Sequence, residues 1–392
     1  MGDSSGPDGA GRWQMLALLF TLRTAMAFQF QLVGALSPLL AAAYGIGLAD
    51  IGLLVGLYFA PGIVIALPGG ALAARFGDRA IMLTAIALMA AGGALALVAE
   101  SFALLIVARV IAGVGGVIVN VIGAKVVADW FAGREIATAM AIYINSWPVG
   151  IALALSVLPF IAVAGGLFAA LAVTAGFATA GLALTLAFYR APSRPGGAAV
   201  AAAWPKGAAL AALLAAAGIW ALFNTALIIL FSFGPALLTE RGQSLIAAAG
   251  TTSLVLWSVA LTVPLGGIIA DRTGRRDRVL IVGILGFVAG LLAVRAGLPP
   301  VLAFCLTGIV AGLPAGPIMA LPAAILTPTT RAYGMGLFFT VYYFLTLIGP
   351  ALAGWVAEQA GSAVAAFDLG IVLLGACVGL LVVIRRMQAS GR

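Results

Sequence analysis

Long apolar runs separated by short polar turns dominate this sequence. A membrane-spanning helix needs about 20 mostly apolar residues, and twelve runs of about that length can be distinguished. They are predicted at residues 14–43, 49–73, 80–99, 102–127, 136–160, 165–189, 207–238, 245–270, 279–297, 299–325, 332–357 and 363–385. The pattern therefore predicts an all-α membrane protein with twelve transmembrane helices.

The two most polar interior turns are related to each other. Gly69 to Leu83 reads GGALAARFGDRAIML, and Gly266 to Leu280 reads GGIIADRTGRRDRVL. Each ends the second apolar run of its half and begins the third, so the chain is predicted to contain two six-helix pseudo-repeats. The division expected is a disordered N-terminal tail (1–13), an N-terminal half (14–189), a cytoplasmic linker (190–206), a C-terminal half (207–385) and a C-terminal tail (386–392).

The second turn carries a recognisable motif. Gly-x-x-x-Asp-Arg-x-Gly-Arg-Arg, from Gly267 to Arg276, resembles the loop between the second and third helices of the major facilitator superfamily, whose bacterial transporters have such a loop in each six-helix half. The first copy departs from this pattern, since Ala74 replaces the acid found at Asp271. A latch there would use Asp78 or nothing, and the alternative for that copy is a plain basic turn.

A shorter motif lies in the fourth run. Arg109 opens Arg-x-x-x-Gly-x-Gly, which resembles a motif of the family's fourth helix, although an arginine near the outer side can also extend its head group to the membrane surface. The two resemblances imply gating or structural roles for Gly70, Arg75, Gly77, Arg79, Arg109, Gly113, Arg134, Gly267, Asp271, Arg272, Gly274, Arg275 and Arg331.

Composition and charge agree with a membrane protein. The chain is 64% hydrophobic and 8% charged, which leaves too little polar surface for a soluble protein. Its basic residues are scattered over short loops rather than gathered in a patch for nucleic acid. With a cytoplasmic N-terminus, the predicted outer loops hold only Arg241 and Arg295, as the positive-inside rule requires. We expect a multi-pass protein of the cell inner membrane with both termini cytoplasmic and no cleaved signal peptide.

Several kinds of chemistry are excluded. The chain has no histidine, and Cys305 and Cys377 both lie in apolar runs, so neither a metal site nor a disulfide framework is indicated. We find no paired acids and no phosphate-binding glycine loop, and expect neither an enzyme nor a cofactor.

A gradient or an exchange must then supply the energy for transport. Without a carboxylate at mid-depth, this means uniport, anion exchange or proton coupling through the substrate's own charge. The family resemblance implies a monomer.

Arg23 is the main candidate for substrate binding. It lies about ten residues into the first predicted helix, at a depth of roughly 15 Å. A cation at mid-membrane costs at least ~2.5–3.5 kcal/mol to insert, and all twelve acids lie in tails, in loops or at helix ends. We therefore expect Arg23 to face a central cavity and to bind an anion through its guanidinium fork. A structural or gating role is the alternative.

Other polar and aromatic residues at mid-depth are weaker candidates. Aligning Pro38 with Pro235 places Trp220 opposite Arg23, where an indole can face a cation or a substrate ring, or simply pack between helices. Amides in hydrocarbon must find partners, so they line the cavity or join helices. The predicted substrate-binding set is Arg23, Gln29, Asn145, Trp147, Trp220, Asn224 and Tyr342.

These features predict a secondary transporter of a small organic or inorganic anion. A similarity to the cyanate and nitrate/nitrite permease branches rests on intramembrane arginine, but their repeated glycine-rich signature is missing here. One alternative is a transporter of an uncharged or zwitterionic aromatic compound, such as a vitamin or drug, with Trp147, Trp220 and Trp257 as stacking surfaces. The other is a transporter-like sensor that moves nothing.

Overall fold

The computed structural model describes residues 7–66, 76–131, 135–190, 203–327 and 329–390. Over these residues every regular element is an α-helix, and eleven helical segments are long and apolar enough to cross a membrane. We number the spans in chain order. The first half contains Pro7–Ala35 with Ser37–Tyr44 (span 1), Leu48–Leu57 with Gly62–Ile65 (span 2), Asp78–Leu97 (span 3), Phe102–Trp130 (span 4) and Ile136–Phe188. The second contains Gly207–Glu240 (span 7), Leu245–Thr273 (span 8), Arg276–Arg295 (span 9), Pro300–Gly312 with Ala315–Ile325 (span 10), Arg331–Ala360 (span 11) and Val364–Ser390 (span 12).

The longest segment, Ile136–Phe188, consists of two spans. Its 53 residues would form a helix of about 80 Å at 1.5 Å per residue, more than twice the ~30 Å hydrocarbon thickness. The backbone leaves helical geometry at Gly166, with φ 77° and ψ 176°, which glycine tolerates because it lacks a Cβ. Spans 5 and 6 meet there, and the described chain therefore has the predicted twelve spans.

The two ends of the chain are more helical than expected. Span 1 begins at Pro7, within the tail predicted to be disordered, because proline's fixed φ suits the first helical position. Arg12 then anchors this turn through an ion pair to Glu135 at 3.0 Å. Span 12 continues to Ser390, through most of the predicted C-terminal tail. Residues 1–6, 191–202 and 391–392 lie outside the described residues.

Span 2 is interrupted in its middle. Its regular helix ends at Leu57, and the turn 58–61 follows with shorter-range bonds, such as Phe59 N–H to the Gly56 carbonyl at 2.9 Å. Pro61 has no N–H to continue the helical pattern. The interruption leaves backbone carbonyls of span 2 available to side chains from other spans.

The two halves pack closely at one end of the bundle, which we call the distal end. It carries the connections 45–47 and 361–363, opposite to the two termini. Here span 2 lies directly on span 11, and a Cβ added to Gly52 or Gly56 would overlap the carbonyl of Pro350 or Leu347. Glu358 also accepts a hydrogen bond from the Ala49 backbone N–H at 2.9 Å, across the halves. The distal end is therefore closed.

Candidate functional site

Arg23 lies midway along span 1, where span 1 faces spans 4 and 5. Its Nε donates to Asn120 Oδ1 at 3.0 Å, and its Nη1 donates to the carbonyls of Tyr143 and Ile144 at 3.0 and 2.8 Å. Among the described residues, no acceptor is bound to Nη2, and no carboxylate pairs with the guanidinium. Arg23 is only partly buried. The protein fixes the guanidinium through Nε and Nη1, and Nη2 has no described acceptor.

Aromatic rings surround the guanidinium. Its central carbon lies 4.9 Å from the ring centre of Tyr143 and 6.0 Å from that of Trp147, distances at which a ring face attracts a cation. Phe59, from the interrupted turn of span 2, links Trp147 of the first half to Tyr342 of the second, with ring centres 6.2 Å away in each case. The rings therefore form a continuous wall from one half to the other.

Asn120 connects the two halves at the same depth. Its Oδ1 accepts the Arg23 bond, and its Nδ2 donates to the hydroxyl of Tyr343 in span 11 at 3.0 Å. Tyr343 is 1% exposed and its ring lies 6.1 Å from Phe59. A polar chain of Arg23, Asn120 and Tyr343 thus crosses the interface between the halves.

Two predicted site residues lie in this cluster, and a third reaches its edge. Trp147 and Tyr342 belong to the aromatic wall around Arg23. Trp220 contacts Tyr342 at 6.3 Å between ring centres, and no described contact joins it to the Arg23 guanidinium. The indole that faces the cation is Trp147 rather than Trp220, the residue indicated by the repeat alignment.

The predicted amides lie at the edge of the cluster or outside it. Gln29 is 4% exposed and donates to the Met89 carbonyl of span 3 at 2.9 Å, which places it inside the first half. Asn224 donates to the Trp220 carbonyl one turn earlier in its own helix at 2.8 Å. Asn145 is half-buried and follows Ile144, whose carbonyl binds Arg23. These contacts favour a helix-joining role for Gln29, whereas the described hydrogen bond of Asn224 stays within its own helix.

Arg109 has a different environment from Arg23. It is 6% exposed and donates to three backbone carbonyls, those of Leu54, Gln29 and Phe30, at 2.8, 2.9 and 2.6 Å. The Leu54 carbonyl lies one turn before the interruption of span 2. Arg109 therefore joins spans 1, 2 and 4 inside the first half, and its guanidinium does not extend to the membrane surface.

The two turn motifs are only partly described. Gly70, Arg75 and Arg134 lie outside the described residues. Asp271 pairs with Arg276 of its own turn at 3.0 Å, and both side chains are exposed. Asp78, the acid available in the first copy, binds Lys125 of span 4 at 2.9 Å. Both acids are held within their own halves in this closed-distal arrangement.

The remaining motif residues shape these turns. Gly77 and Gly274 have φ of 83° and 63°, where a side chain would be strained. Arg79 donates to the Leu186 carbonyl at 3.2 Å, and a Cβ on Gly113 would overlap the Tyr58 backbone. Arg272, Arg275 and Arg331 are at helix ends or on exposed turns, and Gly267 lies within span 8, nearly two turns before its end.

Asn120, Tyr143, Phe59 and Tyr343 are cluster residues that are absent from the predicted substrate-binding set. Asn120 carried a usable signal, because it is an amide within the apolar run GVIVNVIGA, and amides in hydrocarbon need partners. Tyr143 and Phe59 carried none, since aromatic residues at these positions are equally suited to packing. The cluster as a whole offers one cation, one uncommitted guanidinium edge and an aromatic wall.

One comparison with known proteins shows the family of the chain, and another shows its fold. The family model described as Major Facilitator Superfamily matches residues 19–255 and 208–391. A comparison with curated proteins finds no match. Among solved structures, a bacterial homologue of the human lysosomal transporter Spinster, in an inward-facing and occupied conformation, superposes with a TM-score of 0.78 at 17% identity, covering 96% of this chain and 97% of that one. A D-xylose–proton symporter gives 0.76 at 13% identity, covering 94% and 97%.

Proposed function

Because the chain belongs to the Major Facilitator Superfamily, it is a multi-pass membrane protein of a secondary-transporter family, and we propose that its substrate is a small organic anion bound at Arg23. Such transporters work by rocking two halves about a site near the midplane. The Arg23 cluster lies between the halves and is framed by spans 1, 2, 4, 5 and 11.

The observation that carries this proposal is the uncommitted Nη2 edge of Arg23. A positive charge deep in the membrane is expensive unless it is paired, and no described carboxylate pairs with it. Three bonds orient the guanidinium through Nε and Nη1. Two N–H groups on Nη2 remain for a ligand, and a carboxylate is the partner that this geometry suits.

The aromatic wall supports an organic anion over an inorganic one. Trp147, Phe59 and Tyr342 offer ring faces close to the cation, and flat apolar groups pack well on such faces. The same wall favours a second candidate, an uncharged aromatic compound that would use the rings and ignore Arg23. The two candidates differ in whether transport depends on the charge at position 23.

The closed distal end gives this structure a place in the transport cycle. If the termini are cytoplasmic, as the distribution of arginine predicts, the distal end faces outward and this conformation is closed on the outer side. The described part of the first turn, residues 76–83, and the turn at 266–280 lie at the opposite end, where we propose that they join the halves in the alternate state. Localisation in the cytoplasmic membrane is part of this proposal.

Transport by purified protein in liposomes tests the proposal. We would measure uptake of a panel of radiolabelled carboxylates, benzoate first, beside the neutral analogue benzamide. Uptake of at least one carboxylate should exceed that of protein-free liposomes and fall to background in Arg23→Gln. The exposed residue Arg190 supplies the control, since Arg190→Gln should transport normally. Benzamide uptake that equals carboxylate uptake, unchanged in Arg23→Gln, would contradict the anion assignment.

A further inference from the structure

The charged side chain at the proposed site belongs to the first half, yet alternating access requires that the substrate contact both halves. Arg23 belongs to the first half, and the matching position in the second half, Trp220, does not reach the guanidinium. Building on the proposed function, we propose that the hydroxyl of Tyr343 is the group of the second half that binds the anion. Asn120 positions this hydroxyl and the Arg23 guanidinium.

The orientation of Asn120 follows from its two partners. An amide oxygen only accepts hydrogen bonds and an amide nitrogen only donates them, and a guanidinium has donors alone. The oxygen of Asn120 must therefore face Arg23, at 3.0 Å from Nε, and its Nδ2 must donate to Tyr343 at 3.0 Å. The Asn120 contact thus occupies a lone pair of the Tyr343 oxygen and leaves the phenolic proton uncommitted.

The phenolic proton has no acceptor among the described residues. A buried hydroxyl that receives a bond but gives none is left with a donor to satisfy. Arg23 Nη2, on the other side of the Asn120 amide, likewise has N–H donors without a described acceptor. Asn120 therefore lies between two groups with donors to spare, Arg23 Nη2 of the first half and the Tyr343 hydroxyl of the second, and it forms a hydrogen bond with each of these residues.

Tyr343 is held rigidly enough to serve as a ligand. Its ring lies 5.0 Å from Tyr342 and 6.1 Å from Phe59, and it presses on the backbone of span 2 at Gly62, where a Cβ would overlap it. The hydroxyl is thereby aimed at the interface between spans 4 and 11. A carboxylate with one oxygen on Arg23 Nη2 and one on the Tyr343 hydroxyl would join the halves directly.

Titration calorimetry of the full-length protein in detergent, with sodium benzoate and the other carboxylates of the panel, tests this assignment. A hydrogen bond to a charged group is among the stronger ones, so Tyr343→Phe should weaken binding roughly tenfold or more. The matched control is Tyr333→Phe, which removes the hydroxyl of an exposed tyrosine of the same span, outside the cluster, and should change affinity less than about twofold. Equal affinity in Tyr343→Phe and the unsubstituted protein would overturn the role of Tyr343.

Asn120→Asp provides a second test that does not depend on a loss of packing. An aspartate at position 120 would accept from both Arg23 and Tyr343, which makes it an internal substitute for the substrate anion. We expect this variant to lose carboxylate binding and to melt at a higher temperature than the unsubstituted protein. Binding at the original affinity would show that the two donors do not share an anion.

The variants also separate this inference from the proposed function. If Arg23→Gln abolishes binding while Tyr343→Phe and Asn120→Asp bind normally, the anion site stands and the second ligand is wrong. If the unsubstituted protein binds none of the carboxylates, both are wrong. Binding that requires Arg23 and Tyr343, and is lost in Asn120→Asp, supports both.

Discussion

Arg23 and Arg109 both lie in the interior of membrane spans of the first half, and their surroundings differ. Arg109 is 6% exposed, and its Nε, Nη1 and Nη2 each donate to a backbone carbonyl. Arg23 is only partly buried and directs Nε and Nη1 to the protein, with Nη2 uncommitted. Neither pairs with a described carboxylate.

The difference separates structural from functional use of the same side chain. A guanidinium whose three nitrogens are all bound to backbone carbonyls fixes the spans that it joins. A guanidinium bound through two nitrogens is oriented and still has one nitrogen available. Depth in the membrane marks both arginines as unusual. Each makes three hydrogen bonds, and what distinguishes them is that Arg109 uses all three nitrogens whereas Arg23 uses only Nε and Nη1.

The largest expected effect is on stability at Arg109. Arg109→Met removes three hydrogen bonds from buried carbonyls, so the free energy of unfolding should fall by about 2–4 kcal/mol. Arg23→Met should lose less than half as much, because water can reach its partly exposed site. Thermal unfolding of the two purified variants measures this difference. Equal losses of stability in the two variants would contradict the difference drawn between Arg109 and Arg23.

The next largest effect is on transport at Arg23. Lysine keeps the charge but has a compact head group that cannot bind Asn120, the Ile144 carbonyl and a substrate carboxylate in one plane. Arg23→Lys should therefore lower carboxylate uptake by roughly tenfold or more while the melting temperature changes little. Normal uptake in Arg23→Lys would mean that charge alone suffices and that the fork geometry has no role.

The next prediction concerns Glu358, whose carboxylate binds the other half only while the distal end is closed. It accepts from Ala49 N–H in the first turn of span 2, where the helix dipole favours an anion. Glu358→Gln should weaken closure by about 0.5–1 kcal/mol, or two- to fivefold in the ratio of closed to open states.

Spin labels report that ratio. They would be placed at exposed Ala43 and Gln359, after Cys305 and Cys377 are replaced by alanine. The control is Asp50→Asn, since Asp50 accepts from Gly47 of its own half at 3.3 Å. That change should leave the inter-half distance distribution closer to the unsubstituted one than Glu358→Gln does. An unchanged distribution in Glu358→Gln would contradict a latch at this position.

The smallest effects concern the tryptophans. Trp147 lies beside the Arg23 guanidinium, whereas Trp257 is 38% exposed on span 8 and no described ring contact joins it to the cluster. Trp147→Leu should weaken carboxylate binding about twofold, since its ring centre lies 6.0 Å from the guanidinium, and Trp257→Leu should have no measurable effect. Binding curves for the two variants decide this, and an equal loss in both would restore Trp257 as a stacking surface.

Much of the fold is predictable from the sequence because one physical rule sets it. Apolar runs of about 20 residues must cross the membrane, and the repeated turns at 69–83 and 266–280 divide the chain into halves. The interruptions are harder to predict. Pro61 signals the one in span 2, which lies inside the single predicted run 49–73. The change of direction at Gly166 lies next to the boundary predicted between runs 136–160 and 165–189.

The candidate site is less predictable, because it depends on how each helix is rotated. Arg23 stands out by its depth alone. Gln29 follows six residues later, and at 3.6 residues per turn it projects about 120° away, toward span 3 rather than toward Arg23. The rule that selected Gln29, that an amide in hydrocarbon needs a partner, applies equally to Asn120. The carbonyls of Tyr143 and Ile144 carry no side-chain signal, so sequence alone cannot identify them as partners.

The central claim is that Arg23 binds an anion, and ligand-induced thermal stabilisation tests it most directly. Melting temperatures of the unsubstituted protein, Arg23→Ala and Arg23→Lys would be measured with the carboxylate panel, benzoate first, and with benzamide. A ligand that binds the folded state raises the melting temperature by mass action. We expect a carboxylate to stabilise the unsubstituted protein and both variants to lose that response. If benzamide stabilises all three proteins equally and no carboxylate stabilises the unsubstituted one, Arg23 is structural and the substrate is an uncharged aromatic compound.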